Sequence, residues 1–163
     1  MPHSTLPARL LFLVSILCVA ALTIALYSQH YLGMRPCAWC VFQRLILVLL
    51  ALSAGLGGLA LLKSPQRRVG RLLAALSGIL SLGGILSAWY QYSVAAQQFS
   101  CDMTLADQLM TQSGLESAMP WLFGIYATCM DARVELLGLE YALWGMGLFT
   151  VTLALSAYAA LRK

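Results

Sequence analysis

Four stretches of this chain, residues 10–27, 41–62, 72–92 and 141–161, are almost free of charge and long enough to cross a lipid bilayer. A hydrocarbon core of about 30 Å needs roughly 20 helical residues at about 1.5 Å each. Apolar residues make up 61% of the chain and charged ones 10%, whereas soluble domains carry about 25% charged residues. The expected fold is therefore all-α: an integral membrane four-helix bundle with two outward-facing cysteine loops, forming one domain over residues 1–163. The last span has the option of beginning earlier, near Leu136. The stretches "SAGLGG" and "SLGG" read as packing faces, because small residues let membrane helices approach closely. The first run follows the basic residue Arg9, but its 18 apolar residues exceed the roughly 7–15 of a signal-peptide core. It is expected to be a retained helix.

Orientation follows from lysine and arginine placement. Arg9, Lys63, Arg67, Arg68, Arg71, Arg162 and Lys163 fall on one side of the four spans, and Arg35, Arg44 and Arg133 on the other. The first side is expected to be cytoplasmic, which puts both termini there. All six acidic residues lie in the opposite loops. The net charge of +4 thus reflects sidedness, and no nucleic-acid patch is present. Residues 28–40 and 93–140 form the outward loops, and 63–71 a basic turn containing Pro65. Within the long loop, Thr104 is a candidate helix N-cap with Asp107 three residues on. The segment "AMPWLFGIY" is too short to span and is expected in the interface plane, with Trp121 and Tyr126 at headgroup level.

Five cysteines are present. Cys18 sits mid-span and reads as a small apolar residue. Cys37, Cys40, Cys101 and Cys129 all face outward, two per loop, on the side where disulfides persist. Three chemistries compete for them. Zinc favours paired short spacings, but only "CAWC" supplies one, and no metal site is expected. Structural disulfides would suit the long loop, yet a C-x-x-C disulfide is strained and easily reduced. Redox-active pairs that exchange with each other account for one tight pair and one on a long loop. Exchange needs a thiolate nucleophile and a stabilised leaving thiol; helix N-termini and nearby cations supply both. Arg44, one turn beyond Cys40, is a charge at membrane depth and so a functional candidate, with snorkelling to the headgroups as the plain alternative.

The stretch "LYSQHYLGMRPCAWCVFQR", residues 26–44, resembles the first outward loop of the bacterial disulfide-bond formation protein B (DsbB) family, and "CMDARVELLGLEYALW", residues 129–144, resembles the region of that family's last cysteine. The resemblance implies a quinone-dependent protein-dithiol oxidoreductase of the bacterial inner membrane. Such a protein oxidises a periplasmic thioredoxin-fold protein (DsbA-like) and passes the electrons to ubiquinone or menaquinone in the lipid. Carried onto this chain, Cys101 would form the mixed disulfide with the partner and Cys129 would be its mate. Cys37 would exchange with Cys129, Cys40 would face the quinone, and Arg44 would help hold it. The third helix departs from the family pattern. Its outer end, "SAWYQYSVAAQQFSC", lacks the usual basic residue, and Trp89, Gln91 and Tyr92 read as interfacial anchors. Val134 stands where a tryptophan is common, and Ala142 lies near the position of a missing proline.

Two other functions compete with this one. A quinone reductase resembling vitamin K epoxide reductase would carry its C-x-x-C late in the chain, whereas here it is early. A membrane scaffold or binding protein would carry inert structural disulfides. Gel-shift alkylation separates it from the thiol oxidase: exchanging pairs are expected to change state with quinone or a mild thiol, and inert staples to resist both.

Overall fold

The structure is a computed structural model that describes residues 5–63, 67–97 and 103–162. Four long helices dominate it: α1 (Leu6–Tyr31), α2 (Ala38–Leu62), α3 (Arg67–Ser93) and, after three short ones, α7 (Tyr141–Leu161). All four are long and apolar enough to span a membrane. A helix suits that solvent because it satisfies its own backbone without water. Each neighbours the next around a ring in the order α1, α2, α3, α7, and α7 closes on α1. The helices outrun the apolar runs, so the first outward connection narrows to six residues between Tyr31 and Ala38.

The interior is built from three kinds of contact. Leu11, Val14, Leu50 and Phe149 form an apolar cluster that also contains the buried Cys18, consistent with its reading as a small apolar residue. Hydroxyls stitch helices together: Ser53 meets Ser77 at 2.9 Å, Ser81 meets Thr152 at 3.0 Å, and Ser15 donates to the Ala51 carbonyl at 2.9 Å. Interhelical hydrogen bonds of this kind are a main adhesive where lipid is as apolar as the core. The glycine stretches let side chains in. The Phe149 ring of α7 lies so close to Gly84 that an added Cβ would sit 2.4 Å from it.

The long outward connection is not bare loop. It carries a 3₁₀ turn (Ala95–Gln97), α4 (Leu105–Gln112), α5 (Leu115–Ala118) and α6 (Pro120–Phe123). Thr104 and Asp107 form the expected reciprocal cap on α4. The "AMPWLFGIY" segment departs from a flat interfacial placement. Trp121 and Tyr126 are exposed, but Leu122 and Phe123 are buried against Val41 and Met110. The segment is thus a plug as well as an anchor. Before α7 comes a small hairpin, β1 (Glu135–Leu136) paired antiparallel with β2 (Leu139–Glu140). Its turn places both Leu137 and Gly138 at positive φ, as a type I′ turn requires. The last span therefore starts at Tyr141 and not at Leu136.

Gly84→Ala is expected to lower stability in detergent by about 1–3 kcal/mol, the usual cost of overpacking a filled core. Gly83→Ala, with nothing within 4 Å, is the matched control and is expected to be near neutral in the same thermal unfolding measurement.

Candidate functional site

Pro36 and Cys37 set the start of α2. Cys37 is extended and is the N-cap, and its carbonyl accepts the Val41 N–H at 3.0 Å. Cys40 falls in the first helical turn, where N–H groups have no intrahelical partner. Trp39, between the cysteines, packs on Tyr90 of α3 and Phe42, with ring centroids 4.8 and 6.0 Å apart.

The fold brings three of the four outward sulfurs together. Cys37 Sγ lies 3.3 Å from Cys40 Sγ and 2.8 Å from Cys129 Sγ, although Cys129 is 92 residues along the chain from Cys37. Cys101 lies outside the described residues. Cys37 is fully buried. Its contact with the Cys129 sulfur, together with burial, pushes its thiol up to about 12.

A chain of side-chain amides reaches the same place from α3. Gln91 Nε2 donates to Cys40 Sγ at 3.1 Å, and Gln43 Nε2 donates to Gln91 Oε1 at 2.7 Å. The Gln43 bond occupies the Gln91 carbonyl and so leaves its N–H to face the sulfur. Gln91 is buried, whereas Trp89 is exposed. Of the three third-helix residues expected as interfacial anchors, Gln91 is thus part of the site. Its place at the helix end beside Trp89 and Tyr92 disguises that role in the sequence. Its neighbour on α2, Gln43, was missed entirely; the one signal for it was a polar residue beside Arg44 in an apolar run.

Arg44 does not snorkel. It is 5% exposed and donates to Gln29 Oε1, to the Leu122 carbonyl at 3.0 Å and to the Ala25 carbonyl at 3.4 Å. Its partners are neutral dipoles; among the described residues the one ion pair is Arg133–Glu140, in the hairpin region.

Arg44, Cys40, Gln43 and Gln91 share a cavity of about 310 Å³. Its other walls are mainly apolar and come from α1 and α7, as with Ala21 and Leu148, and from the two connections, which add Pro36, Val134 and a second cation, Arg35. Ile24 and Trp144, which also line it, are exposed. An apolar slot with few convergent polar groups is the usual form of a small-molecule site. No group of three or more metal-ligating side chains occurs among the described residues.

The family model for disulfide bond formation protein DsbB matches residues 7–159. Curated relatives agree with it over most of their length. Disulfide bond formation protein B of Polaromonas sp. (strain JS666 / ATCC BAA-500) is 35% identical over 145 residues, covering 85% of this chain and 82% of that protein. The protein of the same name from Polaromonas naphthalenivorans (strain CJ2) is 34% identical, covering 89% and 86%. Disulfide bond formation protein B 1 of Pseudomonas putida (strain KT2440) is 29% identical, covering 90% and 86%. With cysteines from two separate connections meeting at one end of a four-helix membrane bundle, the chain belongs to the DsbB family of disulfide bond formation proteins.

Proposed function

We propose that the chain carries out its family's disulfide bond formation as a thiol:quinone oxidoreductase of the bacterial inner membrane, with both termini cytoplasmic. Its electron donor is a periplasmic thioredoxin-fold dithiol protein of the DsbA kind, and its acceptor is ubiquinone or menaquinone. One observation carries this reading: the sulfurs of Cys129, Cys37 and Cys40 run from the long loop to the wall of an apolar cavity that holds Arg44.

Each exchange is attack of a thiolate on a disulfide sulfur. The donor's two thiols reduce a Cys101–Cys129 disulfide through a mixed disulfide at Cys101, leaving the donor oxidised. Cys129 then attacks Cys37 of a Cys37–Cys40 disulfide; the Cys37–Cys129 bond forms, and Cys40 leaves as thiolate. Cys101 attacks Cys129, re-forms the loop disulfide and releases Cys37. Two electrons now reside on Cys37 and Cys40. When bound, a quinone supplies an acceptor for two electrons and two protons. The cavity suits such a group: its walls accept a flat ring and an apolar tail, and Arg44 offers a fixed cation beside Cys40. Gln91 holds an N–H on the Cys40 sulfur, and Gln43 keeps that amide turned.

The purified protein is expected to oxidise a thioredoxin-fold dithiol through repeated turnovers only when quinone is supplied, with quinone consumption followed by absorbance. Cys40→Ser is expected to keep the mixed disulfide at Cys101 and to stop quinone reduction; quinone-independent turnover would sink the proposal.

A second expectation concerns pH. Below its pKa, the thiolate fraction of Cys37 grows about tenfold per pH unit, so alkylation of the reduced protein at Cys37 is expected to keep rising past about pH 9, where an ordinary thiol levels off. Cys129→Ala removes the largest cause of the shift and is expected to move the profile to lower pH, read by mass spectrometry of the labelled peptide. Folded Cys37 keeps its proton between the ordinary value of 9.0 and about 12, so the reduced protein loses stability as pH rises through that window.

A further inference from the structure

The long loop reaches the first cysteine pair through α6, a single helical turn. One turn leaves most of its carbonyls without intrahelical partners. Pro120 O accepts from the Gly124 N–H at 2.9 Å and from the Tyr126 hydroxyl at 3.2 Å. The next two carbonyls find partners outside the loop. Trp121 O is 3.0 Å from His30 Nε2, in the last turn of α1, and Leu122 O is 3.0 Å from an Arg44 nitrogen on α2. A carbonyl only accepts, so in this contact the imidazole proton sits on Nε2. Further on, the Tyr126 N–H donates to Pro36 O at 3.0 Å, directly before Cys37. Underneath, Leu122 and Phe123 pack on Val41 and Met110, and Ile125 touches both this cluster and the one around Cys37 and Cys129.

The two kinds of contact do different work. Apolar burial is non-directional and roughly proportional to area, so the Leu122–Phe123 plug fixes the depth of the segment but not its register. Hydrogen bonds weaken steeply with angle, and here they act on consecutive carbonyls from two different helices. We infer that His30 is a positioning residue of the exchange reaction: its bond to Trp121 O, working with Arg44 on Leu122 O, sets the register that holds Cys129 against Cys37. Arg44 joins this latch to the cavity, since the same guanidinium lines both. The inference rests on the reading that Cys37 and Cys129 exchange.

The test isolates that pair. In full-length protein carrying Cys18→Ala, Cys40→Ser and Cys101→Ser, only Cys37 and Cys129 remain. In a glutathione buffer their two thiols and one oxidised glutathione give the protein disulfide and two glutathione thiols, and the equilibrium constant is an effective concentration. A parallel protein with Cys18→Ala, Cys101→Ser and Cys129→Ser reports Cys37–Cys40. His30→Leu is expected to lower the Cys37–Cys129 value by about three- to tenfold, the range of one hydrogen bond, and to leave Cys37–Cys40 unchanged. His30→Gln keeps an N–H donor and is expected to restore most of the loss. No effect of His30→Leu, an equal loss in both pairs, or a loss that His30→Gln fails to restore would each overturn the positioning role. Failure of Cys37–Cys129 to form with His30 intact overturns the exchange reading itself, and the positioning role with it.

Discussion

A guanidinium with no counter-ion among the described residues, one turn inside an apolar bundle, is the constraint that the rest of the site answers to. Charge at that depth is costly, and Arg44 has to be solvated by dipoles that the fold itself supplies. It finds them in Gln29 and the Ala25 carbonyl of α1 and in the Leu122 carbonyl of the long loop. Satisfying one cation therefore fastens α1, α2 and the outward loop to each other. It also shapes the cavity, because the same side chain forms part of its wall beside Cys40.

In the proposed reaction water-soluble thiols would arrive at the loop and the acceptor would be confined to lipid, so the relay would have to end where a helix enters the membrane. Cys37 caps α2 and Cys40 lies within its first turn. Their sulfurs stand side by side at that helix start, with Gln91 reaching over from α3 to the Cys40 sulfur. The helices below are held rigid by close glycine contacts and by serine and threonine bonds. Such bonds are useful where hydrophobic burial no longer favours helix over lipid.

Much of this was legible in the residues. The four apolar runs, the basic end of the bundle, the Thr104 cap and the place of "CAWC" at a helix start are local properties, fixed by hydropathy, charge and spacing. The functional candidacy of Arg44 was legible too, since a charge in an apolar run needs a reason. What misled was also local. Gln91 looked like a headgroup anchor because it sits at a helix end beside Trp89 and Tyr92, and only the facing Gln43 shows that it turns inward. The "AMPWLFGIY" segment looked interfacial by composition, whereas Leu122 and Phe123 fill a gap above α2 and α4.

The sequence by itself determined a four-helix membrane bundle with two cysteines in each of two connections, because length, apolarity and spacing act residue by residue along the chain. Only the tertiary structure decided which sulfurs meet, which amides point at them and what solvates Arg44. Those contacts join residues as far apart as Cys37 and Cys129, or Arg44 and Leu122. They depend on how four helices and a folded-back loop share one end of the bundle, which no local pattern records.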